Sequence, residues 1–108
     1  MYKHGQVDEN QAEIVSVFRG LGASVAITSD LGAGFPDLVI GVEGETELVE
    51  VKRRKGRLTH DQEEWFDAWR GRKPVVVRSM GDAVDLVRDM KLRARRAFVA
   101  RVRPCPEQ

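Results

Sequence analysis

A chain of 108 residues, 42% hydrophobic and 32% charged, has room for one small globular domain with a modest core and none for a second. Its apolar runs are only a few residues long and its first residues carry neither a signal-peptide apolar stretch nor an Arg-rich transit pattern, so the expectation is a cytoplasmic protein with no membrane partner. The single cysteine, Cys105, excludes an intrachain disulfide, no Cys/His spacing suggests zinc, and His4 and His60 read as surface residues.

In chain order, Asp8 to Leu21 has the apolar spacing of an amphipathic helix, with Ile14, Val17, Phe18 and Leu21 on its stripe and Gly22 as its stop. Ser24 to Thr28 reads as a short strand, and Ser29 to Pro36 as a flexible loop containing Gly32 and Gly34. Leu38 to Val42 and Glu47 to Val51 are rich in β-branched and apolar residues and are separated by the turn-like Glu43-Gly44-Glu45-Thr46, which predicts a hairpin. After the turn Lys55-Gly56-Arg57 comes a helix from Thr59 to Arg70, closed by Gly71, and then a strand from Val75 to Arg78. The last helix starts near Ser79 to Asp82 and buries Ala83, Leu86, Val87 and Met90. Beyond it two readings stand: Ala94, Ala97 and Phe98 extend the helical stripe, or the alternation from Phe98 to Arg103 makes a strand, with Pro104 and Pro106 ending either. The order αβββαβα predicts an α/β fold, a mixed sheet with helices on its faces.

Charge is distributed unevenly along this order. Residues 1–51 hold 2 basic and 9 acidic side chains, and residues 52–108 hold 16 basic and 8 acidic, although the net charge is only +1. Arg53, Arg54, Lys55 and Arg57 follow Lys52 in one cluster, and Lys91, Arg93, Arg95, Arg96, Arg101 and Arg103 make a second in a basic tail covering about residues 91–108. Such clusters suit a phosphate backbone, which is recognised largely without regard to base sequence. The tail reads equally well as ordinary solvated surface.

The chemistry concentrates in Gly34-Phe35-Pro36-Asp37 and Glu50-Val51-Lys52. Residues two apart on a strand share a face, so Glu50 and Lys52 project together, and a hairpin folds them back toward Asp37. Two carboxylates at one point are hard oxygen ligands for Mg²⁺ or Mn²⁺, and a lysine beside them can orient water or take up charge on a phosphate. Taken singly, Pro-Asp is a common turn and Glu-x-Lys a common exposed ion pair. Together, at a spacing one hairpin closes, they point to metal-dependent hydrolysis of a phosphodiester.

The segments GFPDLVIGVEGETELVEVK, GRLTHDQEEWFDAW and VVVRSMGDAVDLV, in that order, resemble the VRR-NUC family of the PD-(D/E)XK nuclease superfamily over about residues 9–90. The resemblance implies the αβββαβ restriction-endonuclease-like core. It implies Asp37 and Glu50 as metal ligands, the Val51 carbonyl as a third, Lys52 as catalytic and Gln62 as a further residue of the site. Small stand-alone members of the family suggest a homodimer acting on branched DNA such as four-way junctions, and no organic cofactor is implied.

Two positions are open on the residues alone. Thr59-His60-Asp61-Gln62 is a capping-box pattern, yet Gln62 also shares the helical stripe of Trp65, Phe66 and Trp69 and so faces the sheet. Related nucleases carry a glutamate on the first helix, and the corresponding slot here falls on Gln11, flanked by Glu9 and Glu13. By helical angle Glu13 lies nearer the apolar stripe, which ranks it above Glu9 as the further metal ligand completing the site, and both acids also suit a helix start. The three aromatics are expected as core, with stacking on unpaired bases as the other reading. The functional alternatives are a nucleic-acid-binding module without turnover and a restriction-type endonuclease reading a short base sequence.

Overall fold

The computed structural model describes residues 4–102, and of residues 4–9 the backbone alone. Its elements are α1 (His4–Gly20), β1 (Ser24–Ile27), a 3₁₀ turn (Ser29–Leu31), β2 (Leu38–Val42), β3 (Glu45–Val51), α2 (His60–Ala68), β4 (Val75–Val77) and α3 (Met80–Val102). The expected mixed α/β fold is present: one four-stranded sheet in the order β1-β2-β3-β4, flanked by helices. The first three strands are antiparallel neighbours and β4 joins β3 in parallel, which requires the long crossover that α2 occupies.

The core forms because the inward residues of three strands meet the inward stripes of two helices. Leu38, Ile40 and Val42 of β2, Val49 and Val51 of β3 and Val77 of β4 are buried with Ile14, Val15 and Phe18 of α1 and Ala83, Leu86, Val87 and Met90 of α3. Burial of each larger side chain contributes about 1.5–3 kcal/mol before its entropy cost. The four residues expected inward on the last helix are the four it buries. That helix runs on to Val102, so the helical reading of its end holds, but the stripe does not stay covered: Ala97 and Phe98 are exposed, Phe98 to 56%.

The α2 stripe departs from expectation. Trp65 and Phe66 are half-buried, Trp69 is exposed, and α2 contributes no buried residue at all. The periodicity correctly marks a face, but loop residues rather than the sheet lie against it. A second departure lies in the basic tail. Arg93 does not face solvent as part of a charged strip; its Nε bonds Glu45 Oε1 at 3.1 Å and its Nη2 bonds Glu47. Glu47 is on the same face as Ile40 and Val49, 3% exposed, and Arg72 Nε adds a second cation at 3.4 Å. Burial raises the Glu47 carboxyl above the ordinary carboxylate range, and the two arginines pull it back. Arg103 and Cys105 lie outside the described residues, as do the side chains of His4 and Glu9.

The hairpin is tighter than the sequence suggests. Its loop is two residues, Glu43 and Gly44, both with positive φ (50° and 89°), and β3 begins at Glu45. Two positive φ values are the requirement of the type I′ turn, whose twist matches that of the flanking strands. Glutamate is poorly suited to the first position, since a Cβ in the left-handed region costs about 1–2 kcal/mol and asparagine tolerates it better. Glu43→Asn should therefore stabilise the protein by roughly 0.5–1 kcal/mol in urea unfolding; an unchanged or lowered midpoint would contradict this account of the turn.

Candidate active site

The site begins where the β2–β3 ladder ends. The register Leu38↔Val49, continued one and two residues further, sets Asp37 opposite Glu50 and Pro36 opposite Val51. Proline has no N–H to give, so the ladder offers the Val51 carbonyl no donor from that strand. The Val51 N–H donates to the Asp37 side chain, at 2.9 Å from Oδ2. The Pro36-Asp37 backbone is held from the other side: Thr28 donates its N–H to the Asp37 carbonyl at 2.7 Å and its Oγ1–H to the Pro36 carbonyl at 2.8 Å.

Glu50 sits on the sheet face opposite Val49 and Val51, yet is only 1% exposed. Its Oε2 accepts from Gln62 Nε2 at 2.8 Å and faces Lys52 Nζ at 3.5 Å. Its Oε1 is buried and has no hydrogen-bond partner. Burial first, and then the Asp37 charge, push the Glu50 carboxyl up to about 7; burial also raises Asp37, against the Val51 N–H and the Lys52 charge. In the metal-free protein the pair therefore holds a proton more readily than two isolated carboxyls do.

Gln62 fulfils both of its sequence readings at once. Its Oε1 accepts the Thr59 N–H at 2.9 Å and its N–H donates to Thr59 Oγ1 at 3.2 Å, a complete capping box, while its Nε2 holds Glu50. An amide, with one acceptor and two donors, is the side chain that allows this. The loop before Asp37 supports the same helix. Gly34 has φ 85°, and a Cβ there would lie 2.4 Å from the Asp61 carbonyl oxygen, so only glycine lets the loop approach the first turn of α2 this closely.

The first helix brings a different residue inward from the one ranked first. Gln11, Ile14, Val15 and Phe18 are buried, a stripe at i, i+3, i+4 and i+7, whereas Glu13 is exposed. Val15 belongs to the stripe more than Val17 does, which rotates the inward face away from Glu13. Gln11 keeps its Oε1 buried without a partner and reaches Ser29 Oγ at 3.4 Å through Nε2. Accordingly, no group of three or more His, Cys, Asp or Glu side chains that would suit a metal occurs among the described residues.

Arg53, Arg54, Lys55 and Arg57 are all exposed on the turn that follows Lys52. Two residues outside the motif shape this region. Arg78 Nη1 donates to the carbonyls of Arg53 at 2.9 Å and Gly56 at 2.6 Å, and reaches that of Arg54 at 3.4 Å; Asn10 Nδ2 reaches the Lys52 carbonyl at 3.4 Å. No local signal marks either, because their partners lie 22 to 42 residues away. His60 is exposed, 3.1 Å from Glu64 one helical turn on.

A carboxyl whose folded pKa lies above its unfolded value of 4.5 binds more protons folded than unfolded between the two, so the stability of the metal-free protein falls as pH climbs from about 4.5 to about 7. Glu50→Gln keeps the shape and removes the penalty. It should raise the melting midpoint at pH 8 by roughly 4–8 °C for each kcal/mol recovered, with the difference vanishing near pH 4.5. Equal midpoints across this range in EDTA would refute the assignment of strain to Glu50.

A family model described as the VRR-NUC domain matches residues 3–80. Neither the curated proteins nor the solved structures offer a match to the chain. From Gly81 onward α3 lies beyond the matched segment, although it supplies four core residues. Because the match spans well over half of the 108 residues, the chain belongs to the VRR-NUC family and carries a nuclease-type domain.

Proposed function

We propose that the protein is a metal-dependent DNA endonuclease, structure-specific for branched DNA and acting as a homodimer. The observation that carries the reading is the buried Asp37–Glu50 pair, in which one Glu50 oxygen lacks any partner while Lys52 stands 3.5 Å from the other. Two acids raised by burial are a site that favours a cation, and two carboxylates with a backbone oxygen match a small, hard ion that keeps several waters. Asp37, Glu50 and the Val51 carbonyl would hold Mg²⁺ or Mn²⁺. Such an ion supplies a water that deprotonates near neutral pH and charge to balance the phosphate in the transition state.

The chain's own groups do the rest. Asp37 is anchored by the Val51 N–H, leaving its other oxygen for the cation. Gln62 fixes the rotation of the Glu50 carboxylate, directing Oε1 inward. Lys52 presents its ammonium on the same face as Glu50, where it holds the attacking water or stabilises the charge on the phosphate oxygens. The exposed cations of residues 53–57 meet the phosphates on either side of the scissile bond without reading bases. A single site of this kind cuts one strand, and a two-fold pair cuts two strands symmetrically.

A specific observation favours a second reading: with Gln11 inward and Glu13 exposed, the site has two carboxylates, which also suits a module that binds nucleic acid without turnover. Cleavage of labelled four-way junction, flap and linear duplex, with Mg²⁺ or Mn²⁺ against EDTA, separates the two. The nuclease reading expects metal-dependent cutting, strongest on the junction, reduced roughly 100- to 1,000-fold by Asp37→Ala or Lys52→Ala. Gln62→Ala, which releases the orientation of Glu50 and removes the side-chain half of the α2 capping box, should cost roughly 10- to 100-fold. Binding without cutting under every metal would establish the module instead. Light scattering on the DNA-free and junction-bound protein should return twice the chain mass; a monomer in both would remove the dimer.

A further inference from the structure

We infer that Trp69, stacked on Trp65, is a platform for an unpaired base of the DNA substrate. Helix α2 has an aromatic face but buries none of it in the core. Instead the rings pack in series from the active-site loop outward. Phe35, two residues before Asp37, meets Trp65 edge to face at 5.0 Å, and Trp65 lies nearly parallel to Trp69 at 4.7 Å and 14°. Trp65 is half-buried between them, and the last ring of the series is 40% exposed. One face of the Trp69 indole is thus occupied by a partner ring, while the residue keeps 40% of its surface open to a flat, aromatic ligand.

The ring is held in place. The Trp69 N–H caps α2 on the Trp65 carbonyl at 3.1 Å, and the indole edge lies so close over Gly71 that a Cβ there would come within 2.8 Å of Nε1. Lys73 Nζ binds the carbonyls of Phe66, Asp67 and Trp69 at 2.7, 3.1 and 2.8 Å, which locks the helix end. Arg70, exposed, follows directly. An ordered, exposed indole with the exposed Arg70 next to it in the chain suits a nucleotide, whose base stacks on an aromatic ring and whose phosphate takes a cation.

Its position relative to the cleavage site fits the same ligand. Gln62, bonded to Glu50, and Trp69 are seven residues apart on α2, about 10 Å along the axis at ~1.5 Å per residue. At ~3.4 Å per stacked nucleotide that spans about three nucleotides, so a strand held at Glu50 reaches Trp69 a few positions away, close enough for an unpaired base there to stack. The occupant being DNA rests on the nuclease reading.

The experiment is therefore run without divalent metal, so that binding is read apart from cleavage. In EDTA, anisotropy of a labelled oligothymidylate and of a blunt duplex of equal length is measured for the unmodified protein, Trp69→Ala and Trp69→Phe. Both tryptophans of the chain belong to the stack, so quenching of intrinsic fluorescence by the single strand reports on it directly. Trp69→Ala should weaken single-strand binding roughly 5- to 150-fold while leaving duplex binding within about twofold, and Trp69→Phe should keep most of the affinity. Unchanged single-strand binding by Trp69→Ala, or an equal loss on both DNAs, would overturn the platform; a circular-dichroism melt checks that the variant is folded. A parallel cleavage assay in Mg²⁺ or Mn²⁺ keeps the two readings apart. Selective loss of single-strand binding with no cutting by any form sinks the nuclease alone, and cutting with Trp69→Ala binding normally sinks the platform alone.

Discussion

The structure turns on a missing backbone hydrogen. Pro36, fully buried opposite Val51, stops the β2–β3 ladder one residue before Asp37 because it has no N–H to contribute. The first result of that stop is a Val51 carbonyl with no strand donor. The Pro36 carbonyl, which would accept the Val51 N–H in a continued ladder, takes the Thr28 hydroxyl, and the Val51 N–H donates to the Asp37 carboxylate; Asp37 and Glu50 come to face each other across the end of the hairpin, and Thr28 fastens the Pro-Asp backbone to the end of β1. A residue with an N–H at position 36 would donate it to the Val51 carbonyl and close that oxygen off. The Pro-Asp dipeptide is thus one device, in which the proline opens the edge and the aspartate fills it.

The cost of this arrangement falls on Glu50. A carboxylate with 1% exposure, one oxygen unpartnered and an acid neighbour is destabilising by itself, and the surroundings offset only part of that through Gln62 and Lys52. Glu47, buried to a similar degree on the opposite sheet face, is treated differently: Arg93 and Arg72 both reach it, and it serves to tie β3 to α3. Two buried glutamates three residues apart on one strand therefore hold opposite positions. One is neutralised by permanent cations, and the other is left short of positive charge.

Much of this was legible in the sequence, for local reasons. Strand and helix positions follow from alternation and from the 3.6-residue period; the capping box of Thr59 and Gln62 and the inward residues of α3 are read from spacing alone. Three features were not legible, and each depends on distant partners. Periodicity shows that Trp65, Phe66 and Trp69 share a face but not what covers it, and here it is Phe35 and the rings themselves. The inward face of α1 is set by packing against α3 and the sheet, so a rotation of less than one residue exchanges Glu13 for Gln11. Arg93 reads as one more tail cation until a glutamate 46 residues earlier claims it.

Arg78 carries a consequence for how DNA is received. Its guanidinium, at the end of β4, draws the carbonyls of Arg53, Arg54 and Gly56 onto one point and closes the basic turn from beneath, while its own backbone N–H is held by Asp82 at the start of α3 at 2.9 Å. A loop of four cations left to itself would repel and spread, and binding a phosphate backbone would then require it to be ordered at the moment of contact. Here the ordering is completed during folding, so less conformational entropy is lost when the strand docks. The backbone that presents the cations is thereby rigidly coupled to the parallel strand and the third helix, and under the proposed function the phosphates would meet a surface already set in shape.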